Sequence, residues 1–178
     1  MDSHVLILVD AQEKLISAME DRTKLVNNLE KLVKGFNLYN LPIILTEQVP
    51  NKLGKTVNQL MDALKGRHVF FSKSEFSCLD NELFSKNLET INLESKLILC
   101  GIETHICIYQ TARDFIANNY NVEIVTDGIS SRRKNDNDTA LKMIKDLGAG
   151  LTTVEMLLFD IQKNAKNENF KKLSKIIK

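Results

Sequence analysis

Cys107 stands in the first turn of a helix that restarts three residues after an apolar run breaks at Gly101, within Leu97–Asp114, LILCGIETHICIYQTARD. A helix N-terminus carries unpaired backbone N–H groups and about half a positive charge, which favour thiolate over thiol and also suit a developing oxyanion. The same position fits a buried packing cysteine, because free cysteine is among the most buried residue types. Two charged residues close other apolar runs: Asp10 follows Val5–Val9, and Lys73 follows His68–Phe71. A thiol attacking an acyl carbon needs a base for its proton, a cation to hold thiolate and carboxylate in register, and N–H donors for the oxyanion. Asp10, Lys73 and the Cys107 helix start would supply them. Taken singly, an aspartate after a strand is an ordinary helix cap and a lysine there an ordinary solvated charge. Their meaning depends on whether the fold brings them together.

The elements that must do this alternate along the chain. Val5–Val9 is a continuous branched-aliphatic run, the pattern of a strand buried on both faces. Leu25, Val26, Leu29, Leu32, Val33 and Phe36 recur at helical spacing, and Pro42 precedes a second strand, Ile43–Thr46. The loop Glu47–Lys55 leads to a helix around Val57–Leu64, then to a third strand, His68–Phe71, and a helix Leu79–Ile91. Lys96–Cys100 is the fourth strand and feeds the Cys107 helix. Val122–Thr126 is the fifth, ending at an Asp127-Gly128 turn; a helix Asp136–Leu147 follows, stopped at Gly148–Gly150. Leu151-Thr152 is a very short sixth strand. Thr152 and Glu155 have capping-box spacing ahead of a helix Val154–Ile161.

Six strands alternating with helices predict an α/β fold: three layers, α/β/α, around a doubly wound parallel sheet. The commonest six-stranded order of this kind, 3-2-1-4-5-6, makes strands 1 and 4 neighbours at the switch point where ligands bind. That order would bring the ends of strands 1, 3 and 4, with Asp10, Lys73 and Cys107, to one rim.

Length and composition bound the function. The 178 residues suit a single domain over 1–178, with 164–178 a C-terminal docking helix or subunit contact marked by Phe170, Leu173 and Ile177. A formal net charge of +1 without a basic stripe argues against a nucleic-acid partner. Val5–Val9 is too short for a signal peptide or membrane span, so no membrane partner and a cytoplasmic location are expected. Cys78, Cys100 and Cys107 have neither CxxC nor Cys/His metal spacing, which predicts no disulfide framework and no metal. Gly54-Lys55-Thr56 ends like a phosphate-binding loop, but the first glycine of that motif would fall at Val49; no GxGxxG follows a strand either. No cofactor is expected. His105 is too near Cys107 in sequence for a protease-type dyad and suits a pocket or capping role.

Four stretches, VLILVDAQEKL, LTEQVPNKLGKTV, FSKSEFSC and CGIETHICIYQTARD, resemble the isochorismatase-like cysteine hydrolase family. The later VTDGISSR and LGAGLTTVEMLLFDI resemble its isochorismatase-domain-containing branch. The resemblance implies Asp10 as general base, Lys73 as electrostatic partner and Cys107 as nucleophile. It further implies a cis peptide at Ile102–Glu103, with the Glu103 and Cys107 N–H groups as an oxyanion hole, and a pocket lined by Gln12, Gln48 and His105. Nicotinamidases of this family bind a metal through an Asp-x-His element and a further histidine between the Asp and Lys positions. Only His68 stands there, so the resemblance is to the metal-free branch.

The expected activity is hydrolysis of a small amide or related C–N bond through a thioester, by a homo-oligomer acting on a small molecule. Two alternatives stay open. One is a catalytically silent oligomeric or partner-binding protein of the same fold. The other is isochorismate-type ether hydrolysis, which does not need the cysteine.

Overall fold

The structure is a computed structural model that describes residues 4–66 and 68–178. The strands are β1 (His4–Val9), β2 (Ile43–Gln48), β3 (Val69–Lys73), β4 (Lys96–Ile102), β5 (Asn121–Ser130) and β6 (Gly150–Thr152). All pairings between them are parallel, in the order 3-2-1-4-5-6 that the alternating elements predict. The helices are α1 (Glu13–Ile16), α2 (Arg22–Leu38), α3 (Pro50–Leu53), α4 (Asn58–Leu64), α5 (Glu82–Leu88), α6 (Tyr109–Ala117), α7 (Lys134–Asp146), α8 (Val154–Gln162) and α9 (Phe170–Ile177).

The unbroken apolar character of β1 follows from its place between two cores. Leu6 and Leu8 face a cluster with Leu29, Phe36, Leu64 and Leu158, supplied by α2, α4 and α8. Val5, Ile7 and Val9 face the other way, toward Phe84, Ile108, Phe115 and Ile144 from α5, α6 and α7 and the turn before α6. A strand whose alternate residues enter opposite cores cannot alternate apolar with polar. The aromatic rings of this second core touch in series: Phe71 meets Phe84 edge-on at 5.5 Å, and Phe84 stacks on Phe115 at 6.1 Å. At the C-terminus, α9 buries Leu173 in the first core, and Lys31 Nζ donates to the Ile177 carbonyl at 2.6 Å.

β2, β3 and β4 each run two residues past their predicted ends, and four further differences have a physical reason. First, β5 runs on to Ser130, because the residues between Ile124 and Ile129 bulge opposite Leu99–Gly101 before pairing resumes with β4. The Asp127-Gly128 turn signal marks that bulge rather than the end of the strand. Second, the Leu79–Ile91 helix splits into a 3-10 turn, Cys78–Asp80, and α5, because Asn81 caps α5 by accepting from the Phe84 N–H at 3.1 Å. Third, the cap of α8 is Thr153, which accepts from the Met156 N–H at 3.3 Å, so the Thr152/Glu155 box is out of register by one residue. Fourth, α1 and α3 were hidden in loop sequence, since four residues are too few to show a helical period.

Gly101 sets how closely the central strands approach. It pairs with Val9 across β1 and β4 at a φ of +111°, and a Cβ there would lie 2.0 Å from the Val9 carbonyl oxygen. Only glycine fits.

Candidate active site

Asp10 leaves β1 in the left-handed region, φ +51°, which an aspartate tolerates better than most side chains and which marks local strain at a strand end. Its N–H donates to the Thr46 carbonyl at 3.1 Å, continuing the β1–β2 pairing, and Thr46 Oγ1 donates to Oδ1 at 2.8 Å. The other oxygen, Oδ2, accepts from Lys73 Nζ at 2.6 Å. Lys73 closes β3 two strands away, and its ammonium also reaches Gln48 Oε1 at 2.6 Å and the Glu75 carbonyl at 3.2 Å. Cys107 Sγ lies 3.7 Å from the same Nζ. The three side chains therefore converge at the β1/β4 switch point. All are deeply buried, with residue exposures of 0% for Asp10, 3% for Lys73 and 6% for Cys107.

The electrostatics differ from the sequence expectation in one respect. Burial pushes the Cys107 thiol well above the ordinary cysteine range, the Asp10 carboxylate adds to the rise, and Lys73 offsets only part of it. The resting sulfur is a protonated thiol. Desolvation of a thiolate in this pocket works against the partial positive charge of the helix start. For Lys73, burial works against the charge, yet Asp10, then Cys107 and Cys78, outweigh it and hold the ammonium above the usual lysine range. The site is thus a charged carboxylate–ammonium pair beside a neutral thiol. Cys78 and Cys100 are also free and buried, and burial raises both, Cys78 to about 11.

The turn that carries Cys107 is π-helical over Thr104–Ile108 before it tightens into α6. The Ile106 and Ile108 N–H groups both donate to the Glu103 carbonyl, at 3.1 and 3.2 Å. The Ile102–Glu103 peptide bond is cis.

The structure places the remaining candidates as follows. Gln48 accepts from Lys73 and donates through Nε2 to the Ser74 carbonyl at 2.7 Å, so it joins the site from β2. Gln12 is fully buried, and its amide is engaged with backbone: Nε2 donates to the Gln48 and Gly54 carbonyls, and Oε1 accepts from the Gln48 N–H. It braces the loop after β2 against β1. His105 Nδ1 lies 2.9 Å from Ser131 Oγ, beyond β5, and is partly exposed. Glu103 takes hydrogen bonds on Oε2 from the Arg132 N–H and Nε, at 3.1 and 3.0 Å.

Two contributors escaped the sequence reading. Thr46 looked like an ordinary strand residue, although a lone hydroxyl at the end of an Ile-Ile-Leu run was the signal available. The Glu103–Arg132 pair spans 29 residues and has no local signature. Among the described residues, no group of three or more His, Cys, Asp or Glu side chains is placed to hold a metal ion, and no helix is long and apolar enough to cross a membrane.

A doubly wound parallel sheet with an acid, a lysine and a cysteine gathered at its switch point defines an α/β protein with a buried thiol site. The chain belongs to the isochorismatase family: the model of the isochorismatase domain matches residues 4–156. It is 37% identical over 176 residues to isochorismatase domain-containing protein 2 of Xenopus laevis, covering 98% of this chain and 83% of that one. Among solved structures, one described as MAR1 ribonuclease from Caenorhabditis elegans superposes with a TM-score of 0.91 at 30% identity, over 99% of this chain and 91% of that one. The YcaC gene product of Escherichia coli, described as an octameric hydrolase of unknown specificity, gives a TM-score of 0.89 at 25% identity, over 98% and 86%.

Proposed function

We propose that this protein hydrolyses a small amide or related C–N bond with Cys107 as nucleophile, Asp10 as general base and acid, and Lys73 as their electrostatic partner. The observation that carries the reading is the meeting of Asp10 Oδ2 and Cys107 Sγ at one ammonium, 2.6 and 3.7 Å from Lys73 Nζ. Because the resting thiol is protonated, attack needs its proton removed as the S–C bond forms. Asp10 takes that proton. The carbonyl oxygen becomes an oxyanion stabilised by the Glu103 and Cys107 N–H groups. Collapse breaks the C–N bond, and the Asp10 proton passes to the departing amine, leaving a thioester on Cys107. Water then attacks the thioester carbon while Asp10 takes its proton; the acid leaves and the proton returns to sulfur. Lys73 holds Asp10 in place between steps and steadies the developing thiolate.

The depth of the site and the near-neutral charge favour a small molecule over a nucleic acid, with Gln48, bonded to Lys73, beside it. The reading extends to a homo-oligomer, as the E. coli neighbour is described, and to a reducing, cytoplasmic setting that suits three free thiols. The deciding experiment is a screen of small amides and carbamoyl compounds with intact-mass detection of an acyl adduct on Cys107. Turnover that survives Cys107→Ser would overturn the nucleophile, and silence on every compound would favour a non-catalytic protein of this fold.

A further inference from the structure

Three consecutive residues of the turn that carries Cys107 are each tied by a side chain to the segment following β5. Glu103 Oε2 accepts from the Arg132 N–H and Nε, at 3.1 and 3.0 Å; Thr104 Oγ1 donates to Asn137 Oδ1 at 2.6 Å; and His105 Nδ1 meets Ser131 Oγ at 2.9 Å. Glu103 is held at both ends, because its carbonyl also accepts from the Ile106 and Ile108 N–H groups. Ile108 and Cys107 seat the turn in the core, and the three side-chain bonds tie it to the neighbouring segment besides. We propose that Ser131, Arg132 and Asn137 form a clamp that positions the nucleophile turn, with Arg132 the positioning residue for the N–H group of Glu103.

The physical reason is the tolerance of an oxyanion hole. Its donors must stand at hydrogen-bond distance from an oxygen that moves as the carbon becomes tetrahedral, and a displacement of about 1 Å can cost about 100-fold in rate. Glu103 sits in extended backbone between β4 and the turn, and its carbonyl accepts from the Ile106 and Ile108 N–H groups of that turn. Its side chain, 8% exposed, is a second anchor, and an Arg Nε together with a backbone N–H on one oxygen fixes it in two directions. Arg132 itself is 58% exposed at its side chain, so its loss leaves no cavity in either core. The bond to Glu103 therefore contributes more to alignment than to folding.

The inference rests on the hydrolase reading above, and the experiment separates the two. Arg132→Met, Glu103→Gln and Asn137→Ala are compared with wild type by steady-state kinetics on an amide found in the screen, and by amide hydrogen exchange of peptides covering residues 102–110. For Arg132→Met the expected result is faster exchange confined to 102–110, a fall in kcat of about 10- to 100-fold, and KM within about threefold. Glu103→Gln keeps an acceptor oxygen but loses the charge, so its fall in kcat and its faster exchange at 102–110 should both lie between those of wild type and Arg132→Met, with KM unchanged. Unchanged exchange at 102–110 in Arg132→Met overturns the clamp even if the enzyme is an amidase. Faster exchange with unchanged kcat overturns the positioning role. Should wild type turn over no amide while its thiol site is intact, the hydrolase reading fails and the positioning role falls with it. An Arg132→Met protein that does not fold would show that bond to be structural; Asn137→Ala, which removes the Thr104 acceptor, should then lower kcat with faster exchange at 102–110, and unchanged kcat in it would overturn the clamp.

Discussion

Asp10 lies within reach of three groups with different demands: it accepts from Thr46, pairs with Lys73, and raises the pKa of the Cys107 thiol. These demands make Asp10→Asn informative, because two readouts should move in opposite directions. Removing the base should lower turnover by about 10²- to 10⁴-fold, measured as kcat on folded protein. Removing the negative charge should also bring the thiol's pKa down toward the ordinary range, so iodoacetamide should label Cys107 faster at neutral pH than it does in wild type. In wild type the labelling rate should keep rising with pH above 8, since burial and Asp10 hold the thiol protonated there. Cys78 and Cys100 should lag in both proteins, because neither has any exposed surface. A wild-type rate already on its plateau at pH 7, read by peptide mass spectrometry, would contradict the protonated resting thiol. The variant should also lose up to about 3 kcal/mol of stability, since a buried ammonium loses its counterion while keeping the Gln48 and Glu75 oxygens.

The junction of β1 and β4 is where element geometry and site geometry meet. Val9 and Gly101 are register partners immediately before Asp10 and the cysteine turn, so any widening there moves both. Gly101→Ala should destabilise by at least about 3 kcal/mol, because the added methyl would have to displace the Val9 carbonyl and because alanine resists a φ of +111°. Thermal unfolding would show this as a Tm lowered by more than about 5 °C. By contrast, Thr153→Ala should cost about 1 kcal/mol, the usual loss of an N-cap, and should leave turnover unchanged, since α8 packs against the face away from Cys107. Equal denaturation midpoints for Thr153→Ala and wild type would remove the cap assignment.

At the scale of the whole molecule, the donor set makes a further prediction: chelation should leave amide turnover within about twofold, and added zinc or manganese should not raise it. Loss of activity on chelation, restored by metal, would count against a reaction run by Asp10, Lys73 and Cys107 alone. How much of this arrangement was legible from the chain follows from the range of the interactions. Alternating apolar strands and amphipathic helices are local signals, and they determined the six-stranded doubly wound sheet; its order was expected only as the commonest of that kind, and the structure has it. The chain alone also placed Asp10 and Lys73 at strand ends and Cys107 at the helix start that follows the fourth strand, because a charge closing an apolar run and a restarting helical period are visible in one dimension. What only the tertiary structure decided depends on distances between segments: the state of the thiol, set by burial and a carboxylate 97 residues away; the use of Gln12 as a backbone brace; and the bonds from Glu103, Thr104 and His105 to the segment after β5. A helix terminus can be read from local sequence, but the desolvation that opposes it arises only when the core around Cys107 closes over the sheet.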